Sequence, residues 1–328
     1  MSYLLLAAGL GLLAVGGDLL VRGATRLSTR LGVSPMVIGL TVVAIGSSLP
    51  EMAVGIDAAT RGNPGLVTGN VVGTNIVNLL LILGISAALR PILTRQQMMR
   101  LDLPVVAVVA VLLFLLSLGG SIHWPAGVLL LCLGVGYTLA IVWYARRSRS
   151  ERFAARVRAS IEESSSTATT ASKGPTHLAL DAVFLIGGIA LVILGADLLV
   201  SGAVDIATAL GVSDVLIGLT IVAIGTSAPE LVTSIIATFK GQASMAIGNL
   251  IGSSVYNIAF ILGMTTIVAP EPVPVSTDVL YVDMLVMIAV SILVVLVFRT
   301  SRKVTRTEGF ILVGLYLAYL AYLIIART

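Results

Sequence analysis

Gly39-Leu-Thr-Val-Val-Ala-Ile-Gly-Ser-Ser-Leu-Pro-Glu51 returns 179 residues later as Gly218-Leu-Thr-Ile-Val-Ala-Ile-Gly-Thr-Ser-Ala-Pro-Glu230. The likeness extends outward from this stretch. Residues 9–86 align with 188–265 without a gap, with 35 identities in 78 positions. Gly69-Asn70 matches Gly248-Asn249, and the run from Gly73 to Asn78 matches that from Gly252 to Asn257. The chain is therefore two copies of one unit.

Both copies are strongly apolar. Of the 328 residues, 57% are hydrophobic and 11% charged, against about 25% charged in a soluble domain. So little polar surface suits a bilayer rather than water. A hydrocarbon core of ~30 Å needs about 20 apolar residues as a helix. Ten such segments can be drawn: 3–21, 33–60, 65–89, 103–119, 124–144, 178–200, 212–239, 243–269, 279–298 and 309–326. No basic residue precedes the first, no small-residue cleavage site follows it, and it has a copy mid-chain. It reads as a retained helix rather than a leader.

Five segments lie on each side of the polar stretch 145–177, which is rich in Arg and then in Ser and Thr and reads as a flexible linker. An odd number of spans per copy makes the second enter the membrane from the opposite side. The expected fold is an all-α polytopic membrane protein. Its ten helices form two inverted five-helix repeats, 1–144 and 178–328, around the cytoplasmic linker 145–177, with helices 2, 3, 7 and 8 broken. With that linker inside, 18 of the 20 basic residues fall in inside loops, leaving Arg61 and Arg327 outside. The positive-inside rule thus sets both termini outside a cytoplasmic membrane of prokaryotic type.

A carboxylate in a bilayer costs ~2.5–3.5 kcal/mol at a helix centre and marks a functional site by default. Glu51 and Glu230 lie at matching depths of two apolar spans. Pro50 and Pro229 lack an N–H and disfavour helix in the residue before, and Gly46 and Gly225 loosen the turn upstream. A break there frees carbonyls near Ala44, Ser47, Ala223 and Thr226. Carbonyls, hydroxyls and carboxylates are hard ligands suited to Ca²⁺ or Na⁺, and no thiolate or imidazole is at hand for a softer metal. Asn70, Thr74 and Asn78 are spaced to share one helix face, and Asn249, Ser253 and Asn257 repeat the stripe.

Each feature also has a plainer reading. Ser48-Leu-Pro-Glu51 and Ser227-Ala-Pro-Glu230 fit a capping box. Gly69/Gly73 and Gly248/Gly252 have the spacing of close helix packing, and the asparagines could tie helices together. Asp18 and Asp197 match at the repeat offset and read as anchors near helix ends. Asp57, opposite Ile236, reads as a vestibule residue. Cys132, the single cysteine, excludes an intramolecular disulfide framework. His123 and His177 have no partners suggesting a metal or nucleophile site.

The doubled G-[ST]-S-x-P-E signature with its downstream G-[ST]-x-x-x-N resembles the cation/calcium antiporter superfamily, in its Na⁺/Ca²⁺ exchanger-like branch, over essentially the whole chain. The resemblance implies exchange of Ca²⁺ against Na⁺, or alternatively H⁺, without a cofactor. It implies that Glu51 and Glu230 bind Ca²⁺ with backbone oxygens of Ser47 and Thr226. Ala44, Ser48, Thr74, Ala223, Ser227 and Ser253 would contribute flanking Na⁺ sites, and Asn78 and Asn257 would complete the centre. Many Na⁺/Ca²⁺ exchangers carry Asp at one of these last two positions; here both are Asn. The linker is too short, and not acidic enough, for a calcium-regulatory domain. A channel would share the polar stripes but often forms oligomeric rings. An enzyme would need a nucleophile–base pair, and none is evident. No nucleic-acid or obligatory protein partner is suggested; the lipid bilayer is the expected surroundings.

Overall fold

The computed structural model describes residues 2–60, 65–93, 98–162, 175–211, 223–301 and 303–327. Helix α1 is Ser2–Leu31. It stops where Gly32 takes a left-handed φ of 66° and the Val33 N–H returns to the Ser28 carbonyl at 3.0 Å, a closure that satisfies carbonyls of the last turn. Then follow α2 (Pro35–Thr60) and α3 (Gly65–Leu89), α4 (Leu103–Ser117), α5 (Trp124–Glu162) and α6 (Pro175–Ala209). The second half continues with Ala223–Thr226 and α7 (Ala228–Phe239), then α8 (Ala243–Val268), α9 (Met284–Ser301) and α10 (Arg306–Arg327). Eight described helices are long and apolar enough to cross a bilayer; α4 and α7 are apolar but shorter. Their outward side chains are apolar too, among them Leu10, Val108, Leu139, Phe310 and Leu317. That surface suits lipid, and helices are the form in which backbone groups can cross it fully paired.

The longest contact joins α1 to α6. Gly9, Gly16 and Gly23 recur every seven residues on α1, as do Gly188, Gly195 and Gly202 on α6. A Cβ at Gly9, Gly16 or Gly23 would lie 2.6, 2.8 and 2.6 Å from the backbone nitrogens of Leu199, Val192 and Leu185. The glycines are thus what lets the two backbones touch. The partner numbers fall as the α1 numbers rise, so these two copies of one sequence pack antiparallel.

Two short antiparallel ribbons tie the loops of the halves together. Ile92–Leu93 pairs with Lys303–Val304, and Ser121–Ile122 with Val273–Pro274.

Three expectations change. Helices α3 and α8 are not broken. Each winds on through a π-helical turn, Val77–Ile82 and Asn257–Leu262, with ordinary helical dihedrals at Ile76 and Tyr256; neither contains a proline to interrupt it. The polar stretch 145–177 is helical through Glu162, because 145–162 holds no Gly or Pro and is rich in Ala, Arg and Glu; residues 163–174 lie outside the described set. Asp18 sits in the middle of α1, not near its end. The first part of the predicted span 212–239, through residue 222, also lies outside the described residues.

Candidate ion-binding site

The segment around Glu51 winds in three steps. Pro35–Ile38 is α-helical, Gly39–Val43 is a π turn, and Ala44–Ser47 is α-helical again. The helix then fails at Ser48, whose φ of −89° and ψ of 5° leave the helical region. It restarts at Leu49–Thr60 with Glu51 in its first turn. The second copy does the same: Ser227 has φ −89° and ψ 7°, and Glu230 stands in the first turn of α7. The expected breaks at Pro50 and Pro229 are present, one residue before the preceding Leu or Ala. Such a break sets a carboxylate at a helix N-terminus, where the partial positive charge favours an anion.

Both carboxylates are enclosed by protein, Glu51 with 1% and Glu230 with 0% exposure. The halves interlock around them. The helix carrying Glu51 packs on the π turn headed by Asn257, and α7, carrying Glu230, packs on the π turn holding Asn78. Ser48 donates to Glu230 Oε1 at 3.3 Å, and Ser253 donates to the same oxygen at 3.4 Å. Ser47 donates to Asn249 Oδ1 at 3.3 Å. The capping-box reading fails: Ser48 spends its hydroxyl on the carboxylate of the other repeat, and the Ser227 side chain caps nothing.

The Ala44 carbonyl, expected to be free, accepts the Ser48 N–H at 3.2 Å and lies 3.4 and 3.5 Å from the hydroxyls of Ser47 and Ser253, each of which has one proton to share between it and Asn249 or Glu230. The single turn after Ala44 still closes a backbone bond, so the break lies further on than the carbonyl. Thr74 is buried, and Thr226 is half-buried; the side chain of Ala223 lies outside the described set. Asn70 is only half-buried and Asp57 exposed. Asn249, part of the predicted stripe but not of the predicted ligand set, is drawn in by Ser47. Gly248 and Gly252 do pack closely, against the Met36 and Leu40 carbonyls. The equivalent partners of Gly69 and Gly73 fall on residues 215–223, largely outside the described set.

Several buried polar atoms here have no partner among the described residues: both oxygens of Glu51, Oε2 of Glu230, both amide atoms of Asn78 and of Asn257, Nδ2 of Asn249 and Oγ of Ser227. Each such atom costs about 1–3 kcal/mol, and a concentration of them in one place calls for an explanation. The donor set is almost wholly oxygen. Among the described residues no three of His, Cys, Asp or Glu converge, so the negative charge here is that of two carboxylates.

A second acidic pair escaped the sequence reading. Asp102 and Asp283 each close a π turn, Met98–Asp102 and Val279–Asp283. Both are buried, and each accepts a tyrosine hydroxyl, from Tyr137 at 3.2 Å and Tyr319 at 2.8 Å. The signal was an Asp at the start of the fourth span of each half with a Tyr 35 or 36 residues on.

The family model for the sodium/calcium exchanger protein matches residues 1–143 and 180–325. The chain belongs to this family. Within the exchanger family it is 32% identical to the sodium/calcium exchanger MaX1 of Methanosarcina acetivorans, with 98% of each chain covered. It is 36% identical to the putative antiporter CaxA of Alkalimonas amylolytica, with 95% of each covered. Its fold matches the solved sodium-calcium exchanger NCX_Mj with a TM-score of 0.82 and 31% identity over 98% of each chain. As a family member it is a multi-pass integral membrane protein.

Proposed function

We propose that this protein is a secondary antiporter that exchanges Ca²⁺ for Na⁺ across the cytoplasmic membrane by alternating access. One observation carries the reading. Two buried carboxylates, one from each copy of a repeated sequence, share a site otherwise lined by neutral hydroxyl and amide groups. Two negative charges balance one Ca²⁺, and Ca²⁺ takes six to eight oxygens in a flexible shell. Na⁺ is a hard cation that the same oxygens can hold, so the two ions compete for the site. In this reading Glu51 and Glu230 supply the charge. Ser47 and Thr226 add backbone oxygens, and Asn78 and Asn257 close the centre. Ala44, Ala223, Ser48, Ser227, Thr74 and Ser253 supply flanking Na⁺ positions.

Alternating access needs two arrangements of similar energy. A ten-helix plan of two inverted halves, 1–144 and 178–328, joined through a cytoplasmic 145–177, provides them. The antiparallel packing of α1 on its own copy in α6 supports that plan, as does the reciprocal pairing of loops in the two ribbons. Both termini then lie outside the cytoplasm. The relatives' exchange of sodium and calcium supports Na⁺ as the counter-ion.

The test is uptake of radioactive Ca²⁺ by proteoliposomes. An outward Na⁺ gradient is expected to drive uptake, and removing internal Na⁺ to abolish it. Uptake driven by a pH gradient with no Na⁺ present would replace Na⁺ coupling by H⁺ coupling. Uptake needing no counter-ion would make the protein a channel.

A further inference from the structure

Away from the carboxylates, the protein has an open cavity of about 380 Å³ lined by Val21, Arg22, Thr25, Arg26, Lys240 and Gln242. Three of these six residues are cationic, and they come from two elements far apart in the chain, α1 and the loop between α7 and α8. We propose that this cavity binds a phosphate group, carried by an anionic phospholipid headgroup or by a free phosphate.

The charge in the cavity is only partly used. Among the described residues, Asp18 is the carboxylate that reaches these cations closely. It pairs with Arg22 Nε at 2.6 Å and with Lys240. Lys240 also donates to the Asp18 carbonyl at 3.2 Å. With Asp181 and its partner Arg30 included, four positive charges face two negative ones, a surplus of two. The Arg22 pairing uses its Nε, so its outer N–H groups stay available in the planar fork that suits phosphate oxygens. Arg26 is held weakly, 3.9 Å from Asp181, which is already paired with Arg30. Its guanidinium lies over the Phe184 ring at 5.3 Å, a contact that fixes the plane and leaves its edge free. The Gln242 amide adds a neutral donor. The two arginines are 58% and 50% exposed, so a ligand can reach them.

The depth of the cavity fits a headgroup. Helix α1 has 30 residues, a length of ~45 Å at ~1.5 Å per residue, against a hydrocarbon core of ~30 Å. Its C-terminal third, from Arg22 on, therefore emerges into the polar boundary. Basic pockets between helices at that level are suited to anionic headgroups. Occupancy would also bridge α1 to the loop that follows the Glu230 helix.

The test uses the full-length protein, delipidated in a neutral detergent and titrated with dioleoyl-phosphatidylglycerol or dioleoyl-phosphatidylcholine, with bound lipid counted by native mass spectrometry. Phosphatidylglycerol is expected to bind in preference to phosphatidylcholine. The Arg22→Gln/Arg26→Gln variant should bind it about 10- to 30-fold more weakly, the loss expected for two surface cations. Arg299→Gln, at the end of α9, should bind it as the parent does. Gln242→Glu, which removes no ion pair, should weaken it as well and serves if the double variant is not monodisperse. Competition by 20 mM inorganic phosphate would assign the site to the free anion; retention of lipid under that challenge would assign it to the headgroup. Unchanged phosphatidylglycerol binding in a folded double variant, or in Gln242→Glu, would overturn the proposal.

Discussion

Glu230 and Glu51 occupy equivalent places in two copies of one sequence, yet their surroundings differ. One oxygen of Glu230 receives two hydroxyls, from Ser48 and Ser253. Neither oxygen of Glu51 has a partner among the described residues, and the hydroxyl of Ser227, the repeat counterpart of Ser48, has none either. The local chemistry is the same in both copies, so the difference is conformational. A molecule with two inverted halves can be symmetric in sequence and asymmetric in any one state. In alternating access, the opposite state would exchange the two environments. The carboxylate without hydroxyls is also the one with most to gain from a cation.

The largest expected effect comes from removing either charge. Breaking a buried charge arrangement by deleting one partner costs ~3–5 kcal/mol, so Glu51→Gln and Glu230→Gln should each lower Na⁺-driven Ca²⁺ uptake by about 100-fold or more. The comparison sharpens in the absence of cations. Glu51→Gln should raise the unfolding midpoint, since it removes a charge with no partner, and Glu230→Gln should raise it less. Near-normal uptake by either variant would break the functional reading.

A smaller effect is expected from adding charge. Asn257 heads the π turn against the Glu51 helix, and Asn78 sits in the turn against the Glu230 helix. A third buried carboxylate in a site that already holds two repels them and destabilises the charged form. Asn257→Asp should therefore reduce Ca²⁺ uptake more than Asn78→Asp, because among the described residues no hydroxyl bonds to Glu51. Both should raise the number of Na⁺ ions exchanged per Ca²⁺, since the added charge can hold another monovalent ion. Reversal potentials measure that ratio, and an unchanged value would show that these positions do not set it.

The smallest effect tests the asymmetry directly. Ser48→Ala removes a hydrogen bond to a charged group and should cost ~1.5–3 kcal/mol of cation-free stability. Ser227→Ala removes a buried hydroxyl with no partner and should be neutral or slightly stabilising. Thermal unfolding of the two variants side by side reads the sign. Equal losses would mean that the two halves are bonded alike.

Much of this was legible beforehand. The copies of Ser-x-Pro-Glu announced both helix breaks, because a missing proline N–H acts within one turn and needs no distant partner. The polar stripes announced the buried faces of α3 and α8. The carbonyl of Ala44 was misjudged for a physical reason: which backbone bond a proline removes depends on how the preceding turn tightens, and the turn at Ser48 retains its bond to Ala44. The continuity of α3 and α8 was missed because a π turn accommodates a polar side chain without proline or glycine chemistry. Asp102 and Asp283 were missed, since their tyrosine partners lie on other helices.

By itself the sequence determined the membrane setting, the duplicated unit and the two intramembrane glutamates. Those features rest on hydropathy, periodicity and identity along the chain, which no folding event can alter. Only the tertiary structure decided which atoms meet. The bonds of Ser48 to Glu230, Ser47 to Asn249 and Ser253 to the Ala44 carbonyl join residues 182, 202 and 209 positions apart. The glycine-to-backbone contact of α1 with α6 spans similar separations. Such pairings follow from how the helices of one half dock into the other. That docking is an outcome of packing the whole molecule, and no local pattern encodes it.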